Sequence, residues 1–229
     1  MSGSTALNST VRRTASDDVF DQLHADIVTL RLLPGSRLSE SDIAKQSDVS
    51  RQPVREAFIR LSNMGLLMVR PQKATVVRKI SNRQILNARF IRTAVEIEVI
   101  RKACVSATDA DFKQLELNVK AQKRAVRKND TETFHALDYE FHRLICVAAD
   151  CEFAFDAIAE NKSQVDRLCM LCLADKEGML ELIDDHSQIF EALRLRCAET
   201  MISLTRSHLS RLDGTLKMAH AEFGSYFED

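Results

Sequence analysis

A chain of 229 residues with 45% hydrophobic and 28% charged side chains can bury a substantial core, and it exceeds one typical domain. No apolar run approaches the roughly 20 residues of a membrane span and the N-terminus lacks a signal-peptide core, so a cytoplasmic protein is expected. The net charge of −1 by itself argues against a nucleic-acid partner, but residues 31–80 carry ten Lys/Arg against four Asp/Glu, and residues 81–229 twenty against twenty-five. A basic module joined to an acidic one fits a phosphate-binding head on a body with another task.

Residues 1–16 are Ser/Thr-rich and aperiodic and read as a disordered tail, with Arg12 and Arg13 available for loose contact. From Asp17 to Arg31, Val19, Leu23, Ile27 and Leu30 recur at helical spacing behind Ser16 as a cap, and Leu33-Pro34-Gly35 stops the helix. Leu38 to Met64 reads as two short helices and a tight turn. Ser39 with Asp42 opens the first as a box-like start, Ser47-Asp48-Val49 breaks it, and Ser50 caps the second. Val54, Ala57, Phe58 and Leu61 form the buried stripe of that second helix, leaving Ser50, Arg51, Gln52 and Arg55 at its exposed N-terminal end. Free backbone N–H groups and two guanidiniums there suit phosphates and base edges in a major groove. An ordinary helical hairpin with solvated arginines has the same pattern, so the flanks decide. Gly65–Arg70 and Thr75–Arg78 are short β-like runs around Pro71–Ala74, which makes residues 17–80 a winged helix-turn-helix with Arg70 and Lys73 at its wing tip.

Ile80-Ser81 reads as the joint, with Ser81 and Gln84 as an S-x-x-Q helix start. Helices follow to about Cys104, from Thr108 with Asp111 to Lys128, and from Asp130 or Thr131 to Ala148. Others run from Glu152 to Leu173, from Gly178 or Met179 to Cys197, and from Leu204 to Leu212, where Gly214 is expected to end the helix before a last amphipathic segment to Phe227. The predicted class is mainly α, with a winged helix-turn-helix followed by an all-α domain of six or seven helices over residues 81–229. The six cysteines fall inside helical patterns and are expected reduced and largely buried. Cys169-x2-Cys172 invites a redox or zinc reading, but core packing is favoured; Phe153, Phe155 and Met170 likewise read as core or cavity lining. His24 and His220 are expected at the surface.

Asp138 and His142 stand one helical turn apart on one face, and His186 and His208 lie on two later helices. A carboxylate with three imidazoles suits a divalent transition metal such as Zn, Ni, Mn or Fe, although D-x3-H alone is a weak signal.

The order of helix, Pro-Gly, helix-turn-helix with SRQPVREAFIRL, then GLL and a wing resembles the GntR family of bacterial transcription regulators. The rear part resembles the FCD effector domain of the FadR subfamily in its VanR-like form, through Arg92-x3-Glu96, Asp138 to His142, His186 with Ile189 and Ala192-Leu193, and His208. The resemblance implies a metal held by Asp138, His142, His186 and His208, and a small carboxylate effector, a sugar acid or other organic acid, displacing metal-bound water. Arg92 is the implied second clamp on that acid, unless it only pairs with Glu96, and His135 sits at the cavity edge. Ser50, Arg51 and Arg55 match residues that family members use on operator DNA, Gln52 less so. Ser41 stands where the family often has arginine, and Ala74 where its wing usually has glycine. The implied function is a homodimeric regulator on a palindromic operator, switched by the acid. The alternatives are a metal-dependent helical enzyme and a nucleoid-type DNA-binding protein with an inert dimerisation domain.

Overall fold

The computed structural model describes residues 13–69, 74–172 and 176–228, apart from the side chains of residues 160, 161 and 172. The expected tail up to residue 12, the wing-tip residues Arg70 and Lys73, and the Cys172 side chain therefore lie outside the described residues. Helix α1 (Ala15–Val28) begins at Thr14, whose side chain accepts from the Asp17 N–H while the Asp17 carboxylate takes the Thr14 N–H. That capping box places the start two residues before Ser16, which is buried in the first turn instead of capping it. Val19, Leu23 and Ile27 bury their side chains with Val54, Ala57, Phe58 and Leu61 in one apolar cluster.

Strand β1 (Arg37–Leu38), helix α2 (Glu40–Gln46), helix α3 (Arg51–Asn63) and strands β2 (Leu67–Met68) and β3 (Thr75–Val77) complete the front module. The sheet order is β1-β3-β2, with both pairings antiparallel. The sharp turn between α2 and α3 is made by Asp48 at φ +52°, a left-handed conformation that a short polar side chain tolerates. Ser39 and Ser50 occupy the N-cap positions as expected, but neither makes a side-chain cap bond. The Ser39 hydroxyl is taken by Ser41 Oγ at 2.7 Å, so the Ser39–Asp42 box does not form.

Six helices follow: α4 (Asn82–Ser106), α5 (Asp109–Lys128), α6 (Thr131–Ala148), α7 (Glu152–Cys172), α8 (Lys176–Arg194) and α9 (Ala198–Phe223). The expected box at Ser81 and Gln84 is absent; Ser81 caps without a side-chain bond, and Gln84 packs over Gly65. At α5 the Thr108–Asp111 box forms in full, and Asn129 at φ +54° turns the chain so that Asp130 caps α6 through the Thr133 N–H. Gly214 does not end a helix: α9 runs through it, because Leu209, Leu212, Thr215 and Ala219 carry one buried face across the position. That packing outweighs the roughly 1 kcal/mol that glycine costs a helix interior.

Phe134, Phe141, Ile145, Met179, Ile189 and Met201 are among the residues of the main rear core. A smaller cluster of Ile80, Ile85, Val165, Leu168, Leu212 and Phe227 sits at the joint, where Ile80 and Phe227 form a parallel bridge. Two expectations of burial fail: Phe153 is 74% exposed and Cys197 is exposed. Cys169 packs against the cluster at the joint, as expected, and also lines a cavity. His220 is exposed as expected, but His24 is half-buried, stacked on Phe20 and bonded to Ser163 of α7. Among the described residues no helix is long and apolar enough to cross a membrane.

Candidate metal centre

Helix α6 presents Asp138 and His142 one turn apart, α8 brings His186 and α9 brings His208. One ligand atom from each lies within 4.8 Å of all the others. The sequence spacing required only that the first two share a face; the packing of three helices gathers the rest. Phe141 stacks on the His186 ring at 4.4 Å, holding the imidazole flat against the core. His186 is fully buried, His142 and His208 nearly so, and the Asp138 side chain retains 14% exposure.

Two of the imidazoles have a hydrogen-bond partner on the other ring nitrogen, and the third has a charged neighbour. Gln122 Oε1 lies 2.8 Å from His186 Nδ1, and the Gln122 amide donates to Asn118 Oδ1 at 2.7 Å, while Asn118 Nδ2 donates to the Leu137 carbonyl at 3.0 Å. With the amide nitrogens committed in this direction, Gln122 Oε1 can only accept, so His186 carries its proton on Nδ1 and leaves Nε2 bare. His208 Nδ1 lies 3.2 Å from Asp185 Oδ2, and Asp185 is itself clamped by Arg211. His142 Nδ1 lies 3.1 Å from Glu96 Oε2, close enough for an ion-pair contact but without hydrogen-bond alignment. His142 Nε2 and His186 Nε2 are buried without a hydrogen-bond partner, and His186 Nε2 stands 3.5 Å from Asp138 Oδ1. Buried polar atoms are ordinarily paired, so bare ring nitrogens beside a carboxylate fit a site made for a cation.

The electrostatics agree. Burial, then the neighbouring His208, pushes the His186 imidazole well below its usual value, and burial lowers His142 against the opposite pull of Glu96, which favours the neutral rings with their lone pairs. Burial pushes the Asp138 carboxyl up, but its neighbours, the Lys162 ammonium first among them, outweigh it and hold it below the usual carboxylate range. For Asp185, hydrogen bonds from His208 and Arg211 overcome burial and bring the carboxyl down to about 2.

Beside these four residues lies a cavity of about 500 Å³, bounded by residues of α4, α6, α7, α8 and α9. Arg92 and His135, both expected near an effector, line it together with Asp138 and His208. Arg92 does form the intrahelical pair with Glu96, through Nε at 2.9 Å, and both side chains are buried. Its Nη2 is nevertheless buried without a hydrogen-bond partner, as is His135 Nε2. Lys162, which sequence reasoning passed over, also lines the cavity; it is ion-paired to Asp166 and lies 3.9 Å from Asp138. A lone lysine in α7 gives no sequence signal. Asn118 and Gln122 did give one, since two amides interrupt the apolar stripe of Leu115, Val119, Ala125 and Val126 on α5.

In the front module Ser41, Ser50, Arg51, Gln52 and Arg55 are all exposed. Gln52 donates to Glu56 at 3.0 Å, and Arg55 reaches back to Glu40 at 3.1 Å, an exposed pair that a phosphate can displace.

The model for the gntR family of bacterial regulatory proteins matches residues 15–77, and the FCD domain model matches residues 88–211. The HTH-type transcriptional repressor RspR of Escherichia coli K12 is 34% identical over 229 residues, covering 100% of both chains. A probable D-xylose utilization operon transcriptional repressor of Paenarthrobacter nicotinovorans is 29% identical over 183 residues, 80% of each chain. Among solved structures, Escherichia coli McbR/YncC superposes with a TM-score of 0.79 at 21% identity, covering 91% of this chain and all of that one, which shows the shared fold. These relatives are transcriptional regulators and not enzymes, which removes the metal-dependent enzyme from consideration. The chain belongs to the GntR family of bacterial transcription regulators, with a DNA-binding helix-turn-helix domain in front of an FCD domain.

Proposed function

We propose that this regulator is a cytoplasmic homodimer that binds a palindromic operator and is switched by a small carboxylate, a sugar acid or other organic acid, in the rear cavity. The observation that carries the reading is the buried set Asp138, His142, His186 and His208 beside a cavity lined by Arg92, whose Nη2 is buried without a hydrogen-bond partner. Those four residues would hold a divalent transition metal, Zn, Ni, Mn or Fe. Bound there, it supplies a Lewis-acidic anchor for an anionic oxygen. The residues of this chain do the rest. Gln122 and Asp185 orient two of the imidazoles, and Glu96 lies against the third. Arg92 receives the carboxylate with the guanidinium face that Glu96 leaves open, and His135 offers its bare ring nitrogen at the cavity edge.

At the front, Ser50, Arg51, Gln52 and Arg55 at the start of α3 meet base edges and phosphates, Ser41 stands beside them on α2, and Arg70 and Lys73 serve the wing. Two copies related by a two-fold axis place two α3 helices on successive major grooves. The acid acts through its difference in affinity for two arrangements of the molecule, and operator affinity changes by the same coupling.

The test is a titration of organic acids against the complex of the full-length protein with DNA from its own upstream region, read by fluorescence anisotropy. At least one acid changes the affinity of metal-loaded protein and leaves chelator-treated protein unmoved; an unchanged response after chelation removes the metal from the mechanism. In the same assay Arg51→Ala with Arg55→Ala abolishes binding with the fold intact. Retained binding would sink the assignment of α3.

A further inference from the structure

Within two turns of α7 the side chains reach in two directions. Lys162 and Asp166, four residues apart, line the cavity as an ion pair, and the Lys162 ammonium also lies over the Tyr139 ring at 5.0 Å. Between and beyond them, Ser163 Oγ shares a hydrogen bond with His24 Nε2 of α1 at 3.0 Å. Gln164 Nε2 donates to the Gly65 carbonyl at 3.3 Å, and Arg167 Nη2 donates to the Arg78 carbonyl at 2.6 Å. Arg167 Nη1 meanwhile donates to Gln164 Oε1 at 3.2 Å, so the two side chains act as one unit. Arg167 is fully buried and Gln164 is 4% exposed.

These contacts reach three separate parts of the DNA-binding head. His24 is on the helix that packs under α3, Gly65 ends the α3 turn at φ +71°, and Arg78 follows β3. The second tie across the joint, Arg78 to Glu228 at 2.9 Å with the Ile80–Phe227 bridge, uses residues that do not line the cavity. The Lys162–Arg167 segment is thus a stretch of described chain that touches cavity and head at once.

We propose that Lys162–Arg167 is the relay by which occupancy of the cavity reaches the DNA-binding head, a proposal that rests on the cavity being the effector site. An anion in the cavity competes with Asp166 and Asp138 for the Lys162 ammonium. Breaking the Lys162–Asp166 pair removes an intrahelical tie one residue from Ser163. A helix turn is stiff, so a change of position at Lys162 and Asp166 is carried to Ser163, Gln164 and Arg167 within the same two turns. Their hydrogen bonds to α1, Gly65 and Arg78 then hold or release the head as a unit.

Hydrogen exchange read by mass spectrometry on the full-length protein tests this, with Zn(II) alone and Zn(II) plus citrate as probes. In the wild type the probes slow exchange around Asp138 and His208, and change it by about fivefold in α1 and around Gly65, the equivalent of one hydrogen bond. In Ser163→Ala with Gln164→Ala the cavity response persists and the head response vanishes; if the pair does not fold, Ser163→Ala alone must reduce the response in α1. A head response undiminished by the substitutions overturns the relay. If the cavity of the wild type ignores both probes, the effector-site reading fails separately. Lys162→Met, which removes the ammonium without any ligand, then decides: exchange in α1 and around Gly65 must change, and no change overturns the relay.

Discussion

His186 owes its bare Nε2 to a residue 64 positions away, Gln122, whose own amide is held by Asn118. Such outer partners fix which ring nitrogen is free, and removing one typically weakens metal binding by about 10–100-fold. Gln122→Leu, which keeps the volume and loses the acceptor, is therefore expected to weaken Zn(II) binding by about 10–100-fold while circular dichroism stays unchanged. Equal affinity in a competition titration with a chelating dye would show that Gln122 does not orient His186. At this scale the sequence was partly legible. Asp138 and His142 could be placed on one face from their spacing alone, whereas His186 and His208 could be grouped with them only by residue type, a weak signal that the resemblance to FCD domains strengthened. Lys162 and Asp185 were missed because their roles depend on which helix lies across from them, and Gln122 was missed although, with Asn118, it interrupts the apolar stripe of α5.

Element boundaries were readable at two of the local caps, though the Thr14–Asp17 box of α1 was passed over for Ser16. Thr108 with Asp111 and Asp130 with Thr133 start α5 and α6 where the residue types put them. Boundaries failed where packing decides: β1 is two residues, too short for any alternation, and α9 continues through Gly214 because buried residues lie on both sides. A Cβ at Gly214 would meet nothing within 4 Å, and no positive φ demands glycine there. Gly214→Ala is accordingly expected to stabilise the protein by about 0.5–1 kcal/mol, raising Tm by about 1–4 °C in a chain of this size. A lower Tm in differential scanning fluorimetry would mean that the helix does not run straight through this position. The cost of a lost cap is comparable: Thr108→Ala should lower stability by about 1 kcal/mol in a urea titration, and no change would mean that the capping box contributes nothing there.

The whole molecule hangs on the joint between head and rear domain, and His24 makes that joint sensitive to acid. Burial holds the His24 imidazole below 6.5, its usual value, against the opposite pull of Asp166 and Asp21. The unfolded chain thus binds the proton more readily than the folded one. The contribution of His24 to stability is complete above about pH 6.5 and is lost as pH falls through the folded value. Compared with His24→Gln, which keeps a polar partner for Ser163, the wild type should lose urea resistance more steeply as pH falls below 6.5. Parallel pH profiles would mean that His24 takes up its proton without cost. The broad division into a basic reader and an acidic helical body was legible in charge and periodicity, but the buried bonds from α7 that join them were not, since Ser163, Gln164 and Arg167 read as ordinary polar helix residues. The central claim is that a cation held by Asp138, His142, His186 and His208 makes the rear cavity a receptor. Its most direct test is the metal content of protein dialysed against a mixture of Zn, Ni, Mn and Fe salts, measured by plasma mass spectrometry. The account predicts a single ion per chain in the wild type and none in Asp138→Ala with His186→Ala; a metal-free wild type, or equal metal in both, would contradict it.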